Sequence, residues 1–265
     1  MSFLLVTNDD GIDSPALVPL MQALEALTPV RAVVPDRERS WIGKAITRHD
    51  DVVVKRADRE GCEIWTTTGF PADCAQIGAH ALFDERPEML ISGINIGLNH
   101  GLAFLMSSGT VGAASEGWIA GLPAVAISTG NLGEHRLWAD EAWHEDSRAF
   151  WEGAAAIALD IVRTLRARGM PAGADLLSVN FPDTATVDTP REVTRLARTT
   201  YDQLFQARTE MPGTYFHDFG GFRDLDGASG TDLDAARRGH VSITPVRFAH
   251  TAAIPDADRH ALEQP

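Results

Sequence analysis

The first 35 residues alternate in a way that leaves few folds open. Phe3 to Thr7 is a short apolar run, as expected of a strand covered on both faces, and it stops at the polar cluster Asn8-Asp9-Asp10-Gly11. Ser14 and Pro15 then read as an N-cap and a first helical position, and Leu17, Leu20, Met21, Leu24 and Leu27 recur at helical spacing. Val30 to Val34 is a second β-branched run, ending at Pro35-Asp36. Strand, helix and strand in so short a span form a βαβ unit, whose crossover makes the two strands parallel.

The rhythm continues. Ile64–Thr68, Met89–Ser92, Ala124–Ser128 and Leu176–Val179 read as strands, and Pro71–Leu82, Thr110–Ala120 and about Asp146–Arg168 as helices. Alternating elements predict a doubly wound, mostly parallel sheet with helices on both faces, a Rossmann-like three-layer α/β/α fold. From Phe181 to Gly239 the composition turns to Pro, Gly, Asp and Thr, so the reading is one domain over 1–265. An α/β core occupies 1–182, and a loop- and hairpin-rich extension over 183–265 closes with a strand at Val241–Thr244 and covers the site or a neighbouring subunit.

Charge and apolar runs narrow the partners. With 23 basic against 37 acidic residues the net charge is −14, and no Lys/Arg run gathers a basic face, so a nucleic acid polymer is not an expected partner. Gly153 to Val162, the longest nearly apolar stretch, is interrupted by Asp160 and far short of the roughly 20 residues of a membrane helix. Phe3 to Val6 is too short for a secretory core. The expectation is a cytoplasmic protein in which Cys62 and Cys74 are reduced thiols.

In an open α/β sheet, ligands bind beyond the carboxyl ends of the strands. Three of those loops carry oxygen donors: Asn8, Asp9 and Asp10 after the first strand, Asp36 to Ser40 after the second, and Gly93 to Asn99 after Met89–Ser92. Taken alone, Asn-Asp-Asp-Gly is a turn. Adjacent acids at the end of a buried strand repel one another unless a cation or partner relieves them, and the other two loops also bring ligand-type residues. Together they point to a hard divalent ion such as Mg²⁺, Mn²⁺ or Ca²⁺. A second constellation, Ser107-Ser108-Gly109-Thr110, opens a Gly- and Ala-rich helix and reads as an anion site or an ordinary N-cap. A metal beside an anion site suggests phosphate ester chemistry.

Other chemistries fail on spacing. Gly43-Lys44 is followed by Ala45, with Glu38 where a P-loop needs its first Gly, and there is neither a Gly-x-Ser-x-Gly elbow nor a His-Glu-x-x-His pair. A dehalogenase-type phosphatase would need an Asp where Asn8 stands. Receiver domains share paired acids after the first strand but have about half this length. Of the nine histidines only His100, beside the Asn95–Asn99 segment, stands near these residues.

Five ordered segments carry a resemblance: Leu5 to Ile12; Val34-Pro35-Asp36-Arg37 with Arg39-Ser40; Thr68 to Cys74; Ser92 to Asn99; and Ser108 to Ala114. They resemble the SurE family of stationary-phase survival nucleotidases, and the similarity runs on through Val179–Pro182, Gly230–Asp232 and Gly239–Pro245. The resemblance implies a metal-dependent phosphatase for nucleoside 5′-monophosphates, with 3′-monophosphates and polyphosphate as further substrates. It implies one divalent ion, Mg or Mn, on Asp9, Asp10, Ser40 and Asn95, with Asp9 or Asp10 acting on the attacking water. It also implies Asn8, Asn99, Ser108, Gly109 and Thr110 around the phosphate, and a homodimer or homotetramer built through the C-terminal part. Trp41, Ser107 and Ser115 depart from residues usual in the family, which are Gly, Tyr and Met. The alternative is a binding module for metal and nucleotide on the same scaffold without turnover.

Overall fold

The computed structural model describes residues 2–133, 135–219, 221–248 and 253–263. Six parallel strands make the centre of a nine-stranded sheet: β1 (Leu4–Thr7), β2 (Val30–Pro35), β4 (Cys62–Thr67), β5 (Met89–Ile96), β6 (Ala124–Gly130) and β7 (Leu176–Pro182). With β3 (Val54–Arg59), β8 (Arg191–Val193) and β13 (Val241–Val246) the order is β3-β4-β2-β1-β5-β6-β7-β13-β8. The chain winds outward from β1 through β2 to β4, then returns to the other side of β1 as β5. The crevice beyond β1 and β5 is therefore the topological switch point, where doubly wound sheets bind ligands.

Two helical layers cover the sheet, and the period-two pleat of the strands sorts residues between them. Leu4 and Val6 of β1 join the cluster under α1 (Leu17–Leu24) and α6 (Arg148–Arg168). Phe3 and Leu5 join the opposite cluster, under α2 (Pro71–His80) and α4 (Gly109–Ile119). β6 divides in the same way, with Val125 and Ile127 on one side and Ala124 and Ala126 on the other. The predicted α/β/α sandwich is present, and among the described residues no helix is long and apolar enough to cross a membrane. Cys62 and Cys74 are both free and buried, and burial pushes the Cys74 thiol up to about 12.

Several predicted boundaries move. Ser14 does not cap α1: its carbonyl accepts from Leu17 N in a turn, and the helix starts at Leu17. The edge strand β3 escapes an apolar search because Lys55, Arg56, Asp58 and Arg59 occupy four of its six positions, a charge load that also discourages edge pairing. The short helix α3 (Gly101–Ser107) and α5 (His135–Ala142) carry no strong apolar repeat.

Beyond β7 the chain makes a hairpin, β10 (Phe205–Ala207) with β11 (Tyr215–His217), and a second antiparallel pair, β9 (Thr199–Tyr201) with β12 (Phe222–Asp224). It then forms α7 (Asp232–Arg237) and re-enters the main sheet as β13, antiparallel to β7. A last helix, α8 (Asp256–Glu263), follows. Buried Asp232 pins this region to the core, its carboxylate accepting from Gly101 N at 2.7 Å and Ala197 N at 2.8 Å.

Candidate active site

Asp9 and Asp10 follow β1 at the switch point, and both are buried. Asp9 is 3% exposed, and its Oδ1 accepts the Thr110 hydroxyl at 2.6 Å. The Thr110 amide also bonds this carboxylate. Burial pushes the Asp9 carboxyl up to about 6, against the pull of those bonds. The Asp10 carboxyl is raised well above its ordinary range by burial and then by the charge of Asp9, although Ile96 N donates to it at 3.2 Å. No basic side chain offsets either charge among the described residues. Two adjacent buried carboxylates without a cation are an unrelieved negative site.

α4 points its N-terminus at this pair. Ser108 caps it by accepting from Val111 N at 3.1 Å, and Gly109 lets its first turn touch Asp9. A Cβ on Gly109 would stand 2.8 Å from both Cβ and Oδ2 of Asp9 and 3.1 Å from the Arg39 carbonyl. The anion at this helix terminus is thus the protein's own carboxylate, and the positive end of the helix dipole supports it.

On the other side, β5 is irregular between Ser92 and Asn95, where Gly93 takes φ +133° and its missing Cβ makes room for the Ile127 carbonyl. Irregularities of this kind re-aim side chains near active sites. Here Asn95 lies in the wall of the cavity, and its amide nitrogen donates to the Gly97 carbonyl at 2.6 Å, leaving the carboxamide oxygen to accept a hydrogen bond or ligate a cation. Asn99 is fixed by two bonds, Nδ2 to Ser128 Oγ at 2.8 Å and backbone N to Asn180 Oδ1 at 2.7 Å.

The third wall is the segment after β2. Arg39 N donates to the Asp9 carbonyl at 2.7 Å and Gly43 N to the Ser107 carbonyl at 2.8 Å, while Lys44 pairs with buried Glu116 at 2.5 Å. These contacts hold Ser40 beside Asp9. Its hydroxyl donates to Glu38 at 2.6 Å and keeps its lone pairs.

Asp9, Ser40, Asn95, Asn99 and Ser108 therefore line one cavity of about 680 Å³. Asp10, Gly109 and Thr110 stand behind its lining. Asn8 and Thr110, two of the residues expected around the phosphate, make bonds within the protein. The Asn8 carboxamide is fully buried, donating to the Gly11 carbonyl and accepting from Gly11 N, both at 3.0 Å, so it closes the turn. Thr110 has its hydroxyl and amide engaged by Asp9.

The cavity also holds residues that the reading of three loops did not collect. Asn131 follows β6, where the same strand-end rule would have found it. His100 is 3% exposed, neither ring nitrogen has a hydrogen-bond partner, and burial pushes its pKa down to about 3, so the imidazole is neutral. Phe104, His217, Phe219 and Phe222 complete an aromatic end with Trp41. No local pattern announces the last three, which arrive from the extension.

The oxygen atoms suit a hard divalent cation: two carboxylates, one carboxamide oxygen and one hydroxyl. Among the described residues no group of three or more His, Cys, Asp or Glu gathers, so a nitrogen- or sulfur-rich site for a softer metal is not what these residues offer.

The profile of the family described as Survival protein SurE matches residues 4–203. The chain belongs to the SurE family. It is 35% identical over 251 residues to the 5′-nucleotidase SurE of Methanocella arvoryzae, covering 94% of this chain and 93% of that protein. Over 252 residues it is 38% identical to the 5′-nucleotidase SurE 1 of Thermus thermophilus, with 94% and 93% covered. The crystal structure of the SurE protein from Aquifex aeolicus superposes with a TM-score of 0.72 at 29% identity, over 94% of each chain. The SurE match takes in the acid pair, Ser40, Asn95 and the start of α4, and stops before Phe219 and Phe222.

Proposed function

We propose that the protein is a divalent-metal-dependent phosphatase of nucleoside 5′-monophosphates, with 3′-monophosphates and polyphosphate as further substrates. The observation that carries this reading is the Asp9–Asp10 pair, buried at the switch point without a basic partner among the described residues, with Asp9 in the wall of a cavity that also holds neutral oxygen donors and Asp10 directly behind it. The names of the relatives point the same way. Asp9, Asp10, Asn95 and Ser40 would hold the ion. When bound, it supplies Lewis-acid polarisation of a phosphoryl oxygen and a lowered pKa for water.

The chain's own groups supply the rest. Asp9, clamped by Thr110, keeps one geometry through the reaction, and its carboxylate takes up the proton of the attacking water or orients it. Asn99 and Ser108 face the cavity and donate to phosphoryl oxygens as charge spreads over them. On this reading the protein works in the cytoplasm, on its short apolar runs, and, on the family resemblance, as a homodimer or homotetramer joined through its C-terminal part. Light scattering coupled to gel filtration reads that state.

The deciding experiment is phosphate release from 5′- and 3′-nucleoside monophosphates and polyphosphate after EDTA treatment, with Mg²⁺ or Mn²⁺ added back. Metal-restored release from nucleoside monophosphates is the expected result. No release with any ion, from folded protein that still binds it, would leave a binding module in place of an enzyme.

A further inference from the structure

The lining of the cavity joins two chemistries, a polar part with Asp9, Asn95 and Ser108 and an aromatic part in which Trp41, Phe104, Phe219 and Phe222 touch one another. Only the polar end is used by the hydrolysis of a phosphate ester, which leaves a wall of rings without a role.

The rings meet at steep angles, the edge-to-face geometry that aromatic side chains prefer. Trp41 meets Phe104, Tyr201, His217 and Phe219 at centroid distances of 5.9, 5.5, 5.1 and 5.8 Å, with interplanar angles of 67°, 46°, 61° and 52°. Phe104 meets Phe219 and Phe222 at 63° and 78°. Among the described residues no pair of these rings lies parallel, and Trp41, Phe104, Phe219 and Phe222 all line the cavity. Trp41 is 42% exposed, and it holds φ +60°, a left-handed backbone that costs a bulky residue roughly 1 kcal/mol or more. Strain kept at a cavity mouth is the kind that function retains. Between the two ends in the chain, one helical turn before Phe104, stands His100 with both ring nitrogens unpartnered.

We propose that Trp41 and the rings from the extension form a nucleobase subsite, in which the base of a nucleotide stacks while its phosphate lies at the acid end. This deepens the nucleotidase reading and rests on it for the identity of the ligand. A cavity of about 680 Å³ lies within the range that encloses a small ligand. Base–aromatic stacking accepts purines and pyrimidines alike, because every base has a π-face, so the subsite selects for the presence of a base more than for its identity. Trp41 belongs to the core and Phe219 to the extension, so the subsite exists only when the extension is closed over the core.

The test separates this subsite from the hydrolysis. Adenosine carries base and sugar without a phosphate, and its binding to the full-length protein, followed by equilibrium dialysis, needs neither metal nor turnover. Adenosine should bind at least tenfold more tightly than ribose, with Trp41→Ala losing most of that margin, Trp41→Phe keeping most of it, and Phe219→Leu weakening it from the other side of the cavity. Equal binding of adenosine and ribose, or an unchanged margin in folded Trp41→Ala and Phe219→Leu, would overturn the proposal. If adenosine binds as expected while no nucleotide is hydrolysed, the subsite stands and the enzymatic reading fails; hydrolysis without a margin for adenosine gives the reverse.

Discussion

Gly109→Ala is the sharpest probe of how the site is held. The new methyl carbon would stand 2.8 Å from Asp9 Cβ and Oδ2, where ordinary contact starts at 3.4 Å. Something must give by about 0.6 Å, and Asp9 has little freedom to do so. Its side chain is held by the Thr110 hydroxyl and its carbonyl by Arg39 N. Overpacking of this kind costs about 1–3 kcal/mol, less up to about 1 kcal/mol gained from replacing glycine in a helix. Gly153→Ala in α6 is the matched control, because no atom lies within 4 Å of its added Cβ. That variant should gain about 0.5–1 kcal/mol in urea unfolding, whereas Gly109→Ala should lose up to about 2 kcal/mol. A carboxylate misplaced by half an ångström or more should also lower kcat/KM for a nucleoside monophosphate roughly 10- to 100-fold in the first variant only. If the two variants match in both midpoint and rate, the view that α4 fixes Asp9 by close approach is wrong.

Three further outcomes follow from the same geometry. Asp9→Asn should cut turnover by about 10²–10⁴, and in EDTA it should stabilise the fold by up to about 3 kcal/mol near pH 7, because a carboxyl raised to about 6 is a cost that grows as pH climbs from 3.8 to 6 and persists above; rate and urea midpoint are read together. His100→Leu should flatten the acid side of the stability curve. A histidine lowered from 6.5 to about 3 makes the folded state lose up to about 1.4 kcal/mol per pH unit as pH falls through that window, and a variant as acid-sensitive as the parent would refute the assignment. Mg²⁺ or Mn²⁺ at about a hundredfold excess over its Kd should add about 2.7 kcal/mol, or roughly 5–10 °C in Tm, reversed by EDTA and absent in an Asp9→Asn, Asp10→Asn double variant.

The core of this fold was legible because its signals are local. Each buried parallel strand is a continuous apolar run, each is followed by a helical repeat, and the acids at the end of β1 sit where such sheets place their ligands. Side-chain commitments were less legible. The two bonds by which Asn8 closes its turn on Gly11 are not announced by residue type. The bond of Thr110 to Asp9 was hidden because the two lie 101 residues apart in the chain. Trp41 stood out in the sequence, but its partners did not: it meets His217 and Phe219 across the whole length of the core, and no periodicity within a window reports such a meeting.

The path of the chain after β7 has a consequence for how such a site can change. β7 and β13 are neighbours in the sheet, so β8 through α7 form an excursion whose two feet stand side by side. Lengthening a loop whose ends are already fixed costs only the logarithm of its length, about 0.6 kcal/mol per doubling. Insertions, deletions and new side chains between β9 and β12 therefore leave the sheet and the acid pair untouched while redrawing the far wall of the cavity. On the proposed reading, part of the substrate preference is mounted on this excursion and the acid pair is not, and a library randomised only within it should yield folded proteins that differ in the substrate they accept while keeping the same ion.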